Sequence, residues 1–531
     1  MAKVIVSHRL AGRRTTKAAS HVQRKVKYLH NLSTVSEQTA RKAPEADEVT
    51  RICDRNVATI DEEQLGDKRS LFADDDDLIV EEDVELEHPR LGREFLARLL
   101  VDEISSPEES DSDMVSFSPE TPKKPPKHLE PRKKAGTFHV RITGADGGQV
   151  RGEASFTIIR DQKPKTLVSP IDADGSTAIA LQAGDSSVLA IQIKPAGGYF
   201  KSVARTPKEG QAVELPPLSM KGPLAWWHEA MGITQLDMTL GAGIRVGVID
   251  MGIGPNAALT HVVSLGSLLS GRLDPHGGAD VSGHGSMVTG LIGARPTLTG
   301  GYVGAAPAAQ VFSIRVYPSE DGSAMLSDIA QAIELLSERY ACDLINMSLA
   351  TPGFSALLED AIVDAFEGGT LCVVSTGNYK GPVRQPAALD QTVAVGAVGK
   401  QGWAPAGTEA EIFSEITDST LVSPKGLFFG EKFSDRGEQV TCAAPGIGII
   451  STLPSPEAGE IYGDDTGTSL ACPLVTGLLA AKLSRDAAYL RMPRGVAKVQ
   501  RALLQLQSSA NKLAYPMTNT GIGIPRLTTT R

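Results

Sequence analysis

At 531 residues the chain is long for one domain, and its length suggests two to four. A hydrophobic content of 41% supplies a sizeable core, and a formal charge of −10 carries no signal for nucleic-acid binding by the chain as a whole. No run reaches the ~18 apolar residues needed to cross a bilayer, so no membrane association is expected.

The first residues, Met1 to Leu10, contain no apolar signal core and no small-residue cleavage site, which points to a cytoplasmic protein. The cysteines agree with that location. There are five (Cys53, Cys342, Cys372, Cys442 and Cys472), an odd number expected to remain reduced. They form no Cys-x-x-Cys or Cys/His cluster, so no zinc site is expected.

Residues 1 to 135 differ in character from the rest of the chain. Residues 1 to 30 carry eight Lys/Arg and no acidic residue, whereas Asp74 to Glu87 packs nine acidic groups into fourteen positions. Blocks of like charge favour disordered interaction tails. The two blocks either attract one another or are separately solvated. Leu91 to Val101 has the apolar spacing of a short helix, and residues 105 to 134 form a Ser/Pro/Glu-rich and then Pro/Lys-rich linker. A largely disordered, regulatory N-terminal region is the expectation.

Residues 136 to 213 read as a small β-domain. Phe138, Val140 and Ile142 alternate, as do Phe156 and Ile158, then Leu189, Ile191 and Ile193, with turn signals at Gly144–Gly148, Asp172–Gly175 and Pro195–Gly198. The spacing suits a sandwich-like fold without site chemistry of its own, and a docking or spacer module is the default. A partner protein would be expected here or on the N-terminal region.

From residue 220 to 531, strand and helix patterns alternate. Ile244 to Ile249, Val311 to Val316, Leu344 to Ser348, Leu371 to Val374 and Thr392 to Val398 are apolar strands. Leu326, Ile329, Ile333 and Leu336 fall at helical spacing, and a second helix is expected over 356–366. The series predicts an α/β fold: a parallel sheet with helices on both faces. Residues 401 to 432 are an extra stretch that admits three readings: a lid, a partner contact or a tolerated surface insertion.

Four segments carry chemistry. Asp250 ends a buried strand, His284 opens a small-residue helix, Asn378 ends the strand Val373-Val-Ser-Thr-Gly, and Ser469 lies in Gly467-Thr-Ser-Leu-Ala-Cys-Pro473 at the start of an apolar helix. A serine hydroxyl is a weak nucleophile unless a base activates it, and a histidine oriented by a carboxylate is such a base. The Asn378 amide and the Ser469 backbone N–H are candidate donors to an oxyanion. Taken singly, each segment is more often a strand end, a turn or a helix cap. Cys472, three residues after Ser469, is either a small buried hydrophobe or a redox-sensitive thiol.

Residues from about 220 to 527 resemble the subtilisin-like serine proteases (subtilases), on Asp250-Met-Gly252, His284-Gly-Ser-Met-Val-Thr-Gly290 and Gly467-Thr-Ser-Leu-Ala-Cys-Pro473, with Gly304-Ala-Ala-Pro307 and Ile345-Asn-Met-Ser-Leu349 in support. The order Asp, His, Ser is that of subtilisin. The resemblance implies a serine endopeptidase acting on protein or peptide through Asp250, His284 and Ser469, with Asn378 in the oxyanion site and Ser348, Leu349 and Ala350 walling the pocket for the residue before the scissile bond (P1). Met251, Ser286 and Met287 depart from the family pattern but remove no triad atom, so activity is expected to survive them. A dedicated processing protease and a catalytically silent peptide-binding relative are the alternatives. No cofactor is expected: the loop Arg295 to Gly301 lacks the Asn and Asp oxygens of a family calcium site. Lys380 and Arg384 are the only charges in the loop from Asn378 to Pro386, and an inward-pointing cation there would favour an acidic P1 residue.

Overall fold

A computed structural model describes residues 134–527 apart from Gln162, Pro352, Thr417 and Ala458, together with five short segments of the first 133 residues: 3–8, 57–61, 78–82, 85–86 and 96–97. Its centre is a nine-stranded sheet. Val263–Leu269, Gln310–Arg315, Arg245–Asp250, Leu344–Met347, Leu371–Ser375, Thr392–Lys400 and Cys442–Pro445 run parallel in that order, and Arg272–Asp274 and Leu427–Phe429 add antiparallel edges.

The strands are apolar throughout because both faces are covered, as a parallel sheet requires. Alternation along each strand sorts their side chains into two cores. Val246, Val248, Leu344, Val373, Val393 and Val395 face one cluster with Val288, Leu470 and Leu474. Ile249, Ile345, Met347, Cys372, Val374 and Ala394 face the other with Ile329, Ile333, Leu357 and Ile362. The first face carries two almost wholly buried helices, His284–Gly293 and Thr468–Ser484. The second carries Leu326–Glu334 and Ala356–Glu367, the latter capped by Ser355 Oγ, which accepts from Leu358 N at 3.1 Å. These are the helices expected from apolar spacing. The strands also fall where expected, to within two residues at each end.

Residues 136–215 form two small sheets. One orders Ser202–Arg205, Ala190–Pro195, Gly152–Arg160 and Lys163–Ile171, all antiparallel. The other places Gly136–Gly144 between Ala212–Leu215 (parallel) and Ser176–Leu181 (antiparallel). Phe138, Ile142, Phe156, Ile158, Ile191 and Ile193 share one core cluster, with Phe138 and Phe156 edge to face at 6.3 Å.

The stretch 401–432 is folded and tied on two sides. Trp403 donates from Nε1 to Gly448 O at 2.8 Å and packs at a tilt against Trp226 and edge to face with Trp227, at centroid distances of 6.4 and 5.8 Å. Val203 N in the β-module donates to Gly407 O at 2.8 Å. The stretch therefore packs against the chain's own β-module.

The expectation of disorder over 1–135, and the charge blocks it rests on, lie mostly outside the described residues. Within that region Lys3–His8 pairs antiparallel with Val57–Asp61 on one side and Leu78–Glu82 on the other. Glu85–Leu86 pairs antiparallel with Ala324–Met325. Leu96, in the expected helix at 91–101, is buried in the core that holds both buried helices.

Candidate active site

Asp250 is the last residue of a central strand, and its carboxylate is only 1% exposed. Its Oδ1 lies 2.8 Å from His284 Nδ1 and also accepts from Met251 N at 2.7 Å. The ring reaches it because the His284 helix begins hard against the strand end. A Cβ on Gly285 would collide with the carbonyl oxygen of Gly252, and Gly252 itself sits at φ 99°, open to glycine but strained for other residues. Gly283 turns the chain into the helix at φ 89°. Asp280 caps it: Oδ1 accepts from Ser282 N at 3.0 Å and Gly283 N at 2.8 Å, and Oδ2 from Ser286 N at 2.7 Å. Burial pushes the Asp280 carboxyl up, against those N–H groups. Sequence reasoning passed over Asp280, although an Asp shortly before a helix start is a capping signal.

Ser469 lies in the first turn of Thr468–Ser484 and is buried. Asn378 Oδ1 accepts from Thr468 N at 2.9 Å and Thr468 Oγ1 at 2.8 Å, which fixes the amide orientation and turns Nδ2 toward the Gly467 side. A Cβ on Gly467 would lie 3.0 Å from Ser469 Oγ and 3.1 Å from Asn378 Nδ2. Hydroxyl and amide donor thus bound the same small space, with the helix N-terminus on its third side. A developing oxyanion needs such an arrangement.

Ser348 is buried one strand away and donates from Oγ to Ser469 O at 2.9 Å. Its own partner is Asn346 Nδ2 at 3.1 Å. Asn346 Oδ1 in turn accepts from Thr476 Oγ1 at 2.9 Å and Cys472 Sγ at 3.2 Å. Asn346 therefore ties the Ser469 helix to the sheet, a role that its place in an apolar strand did not reveal. Cys472 is fully buried and its thiol is raised well above the ordinary value by that burial, which favours the small-hydrophobe reading over a redox thiol.

Leu349 and Ala350 continue from Ser348 as buried chain, and Thr351 N donates to Gln385 O at 2.7 Å, so the 348–351 segment is fastened to the loop after Asn378. In that loop Arg384 stacks 3.7 Å over the Tyr379 ring, with Nε 3.8 Å from Asp435 Oδ2, and Lys380 is exposed at φ 56°. Asp435, fully buried, holds the loop: Oδ1 accepts from Tyr379 N at 3.0 Å and Gly381 N at 2.8 Å.

Residues 241–523 match the model of the subtilase family. The chain belongs to the subtilase family. It is a serine-type endopeptidase. Among its relatives, subtilisin DY of Bacillus licheniformis is 32% identical over 250 residues, covering 46% of this chain and 78% of the relative. The major intracellular serine protease of Bacillus subtilis is 31% identical over 253 residues, covering 45% and 68%. The alkaline protease of Shouchella clausii is 27% identical over 333 residues, covering 62% and 76%.

The subtilase loop that follows the His284 helix is held from within the chain. Glu460 Oε2 accepts from Thr297 N at 2.8 Å, Thr297 Oγ1 at 2.7 Å and Leu298 N at 2.9 Å, and Oε1 accepts from Tyr462 Oη at 2.6 Å. Both carboxylate oxygens thus have donors within the chain.

Burial pushes Asp435 up to about 6 from an ordinary 3.8, outweighing the Gly381 and Tyr379 N–H groups and Arg384. A folded-state value above the unfolded one means that the stability this carboxyl contributes is present below about pH 4 and is lost as pH rises through 6. Asp435→Asn removes that titration. Urea denaturation at pH 4.5 and 7 is expected to show a smaller difference in stability between the two conditions for the variant than for the wild type.

Proposed function

We propose that Asp250, His284 and Ser469 form the catalytic triad and cleave peptide bonds through an acyl-enzyme. The observation that carries this reading is the convergence of Ser469 Oγ and Asn378 Nδ2 beside Gly467, with His284 held by Asp250 at 2.8 Å. Ser469 Oγ attacks the scissile carbonyl carbon as His284 Nε2 takes its proton. Asp250 keeps the proton on Nδ1 and stabilises the imidazolium. The tetrahedral oxyanion takes hydrogen bonds from Asn378 Nδ2 and the Ser469 backbone N–H. His284 returns its proton to the leaving amine. Water then attacks the ester, giving its proton to His284, and the acid product leaves as Ser469 is reprotonated. No cofactor enters these steps.

Met287, which replaces a family histidine, is buried in the core, and Ser286 Oγ accepts from Gly254 N at 2.9 Å. Both departures are absorbed by packing, which favours an active enzyme over a silent relative. A cytoplasmic site of action is supported by four buried cysteines free of disulfides among the described residues, and by one relative whose name calls it intracellular, although another is named extracellular. The two sheets of residues 136–215 act as a docking module for the catalytic domain.

The N-terminal region regulates. Gln310–Arg315 runs parallel beside Arg245–Asp250 with Arg315 opposite Asp250, so the chain after Arg315 leaves on the edge of the sheet that carries Asp250. Ala324–Met325 follows in the chain and pairs in a separate two-stranded sheet, Ala324 with Leu86 and Met325 with Glu85. A segment of residues 1–135 thus pairs with the catalytic domain, a contact that supports a regulatory role for it.

Three outcomes test these assignments. Ser469→Ala should abolish peptide hydrolysis, and Asn378→Ala should lower kcat by roughly 10²–10³, a figure known for a subtilisin and taken over as such; substantial activity in Ser469→Ala would sink the triad. A chain beginning at Gly136 should fold and hydrolyse a peptide substrate at least as fast as full length, whereas an insoluble or inactive product counts against the regulatory reading. Profiling of cleaved peptides should show a medium-sized apolar or uncharged P1 residue, since Lys380 is exposed and Arg384 is engaged with Tyr379 and Asp435; a strong preference for Asp or Glu would contradict this.

A further inference from the structure

A cleft of about 230 Å³ lies where three distant stretches of the chain meet. The helix Trp226–Ala230 forms one wall through Trp226 and Glu229. The paired strands Thr392–Lys400 and Leu427–Phe429 form the second, with Lys400 directly opposite Leu427 and Lys425 in the turn that precedes it. The third is the C-terminal hairpin, in which Asn511 pairs with Ile524 and Ala510 with Pro525, and Arg526 follows at once.

The backbone of these walls is fixed from within the chain. Gln401 N donates to Gly426 O at 2.8 Å and closes the turn that carries Lys425. Arg526 N donates to Ser509 O at 3.0 Å, and Arg526 O accepts from Ser509 Oγ at 2.6 Å and from Lys482 Nζ at 3.1 Å. Leu527 N donates to Met231 O at 2.8 Å, which binds the hairpin to the residue after the Trp226 helix. The side chains, by contrast, are not matched to one another. Lys400, Lys425 and Arg526 line a cleft with a single carboxylate, Glu229, and among the described residues none of the four charged heads has an ion-pair or hydrogen-bond partner. Like charges gathered without counter-charge repel. Trp226 is only 6% exposed, and its buried Nε1–H has no acceptor among the described residues. A buried donor left in that state is costly unless a partner arrives.

We propose that this cleft is a binding site for a small organic phosphate, a phosphate monoester on a short hydroxylated carbon chain. Three cations against one carboxylate leave two positive charges, which a monoester dianion offsets. The Arg526 guanidinium can hold two phosphate oxygens at once, with Lys400 and Lys425 as point charges beside it. Trp226 and Leu427 offer apolar surface to the carbon chain, and Asn511 and Glu229 accept from its hydroxyls. The volume falls below the roughly 300–1,000 Å³ of pockets for drug-sized ligands, which favours a fragment of a few carbon atoms over a nucleotide. Because its walls come from residues 226–229, 400–427 and 511–526, such a ligand fastens the C-terminal hairpin to the sheet and to the Trp226 helix. No triad residue lines the cleft, so the inference stands apart from the catalytic reading.

The chain's three tryptophans report on the site, since Trp226 lines it and Trp227 and Trp403 pack against Trp226 at 6.2 and 6.4 Å. The test is a titration of the full chain, followed by tryptophan fluorescence at constant ionic strength, with glycerol 3-phosphate, inorganic phosphate and glycerol. Glycerol 3-phosphate should give a saturable one-site change and a rise in Tm over the same concentrations, inorganic phosphate a weaker one, and glycerol none. Lys425→Ala and Arg526→Ala should each weaken binding roughly tenfold, as expected for loss of a charge-assisted contact. Lys208→Ala, on an exposed turn of the β-module, should leave the affinity unchanged. The proposal is overturned if neither fluorescence nor Tm responds to glycerol 3-phosphate, if both phosphates bind equally, or if Lys208→Ala weakens binding as much as Lys425→Ala. Should Arg526→Ala fail to fold, Lys425→Ala decides by itself, because Lys425 is exposed in its turn, and an unchanged affinity in that variant rejects the site.

Discussion

The site depends on one close approach: the backbone of Gly285, at the start of a buried helix, lies against the carbonyl of Gly252 at the end of a central strand. No side chain larger than hydrogen fits between them, and that absence lets the His284 ring reach the Asp250 carboxylate at 2.8 Å. A buried carboxylate is costly unless its oxygens are paired. Here one oxygen is met by the imidazole and by the N–H of Met251, so the fold that buries Asp250 also supplies partners for that oxygen.

The Ser469 helix is placed by a different means. It is almost wholly buried and packs its small residues against the His284 helix and the sheet, leaving polar groups at its start that must be satisfied from outside. Asn378 and Ser348 do so from just past the ends of two parallel strands, and Asn346, within the strand before Ser348, holds Cys472 and Thr476 farther along the helix. These bonds fix the backbone at the start of the Ser469 helix against the sheet. Preorganisation of this kind is what stabilises a charge that exists only in the transition state.

The β-module adds a constraint of longer range. A Lys201–Asp465 pair with two further carboxyls, Asp464 and Glu409, at an internal interface is stable only when its geometry is well kept, and backbone ties on both sides of Lys201 keep it. The 401–432 stretch closes the same contact from the other side. In consequence the module is fastened beside the segment that leads to Ser469.

The chain's own order of residues was enough for the catalytic core. Apolar strands of four to nine residues, helical spacing at Leu326, Ile329 and Ile333, and glycine-flanked Asp250, His284 and Ser469 are local signals, because strand burial, helix faces and helix starts depend on neighbours a few positions away. Asn346, Asp280, Asp435 and Asp465 were not legible in that way. Each is one polar residue in an unremarkable setting, and its importance comes from partners 6, 54, 126 or 264 positions distant along the chain. The same holds for the stretch 401–432, whose tie to the β-module through Gly407 and Val203 joins residues some 200 positions apart. Spacing along the chain determined which residues could do chemistry; the folding of distant segments onto one edge of the sheet decided which charges surround them, since electrostatic and hydrogen-bond partners are set by distance in space.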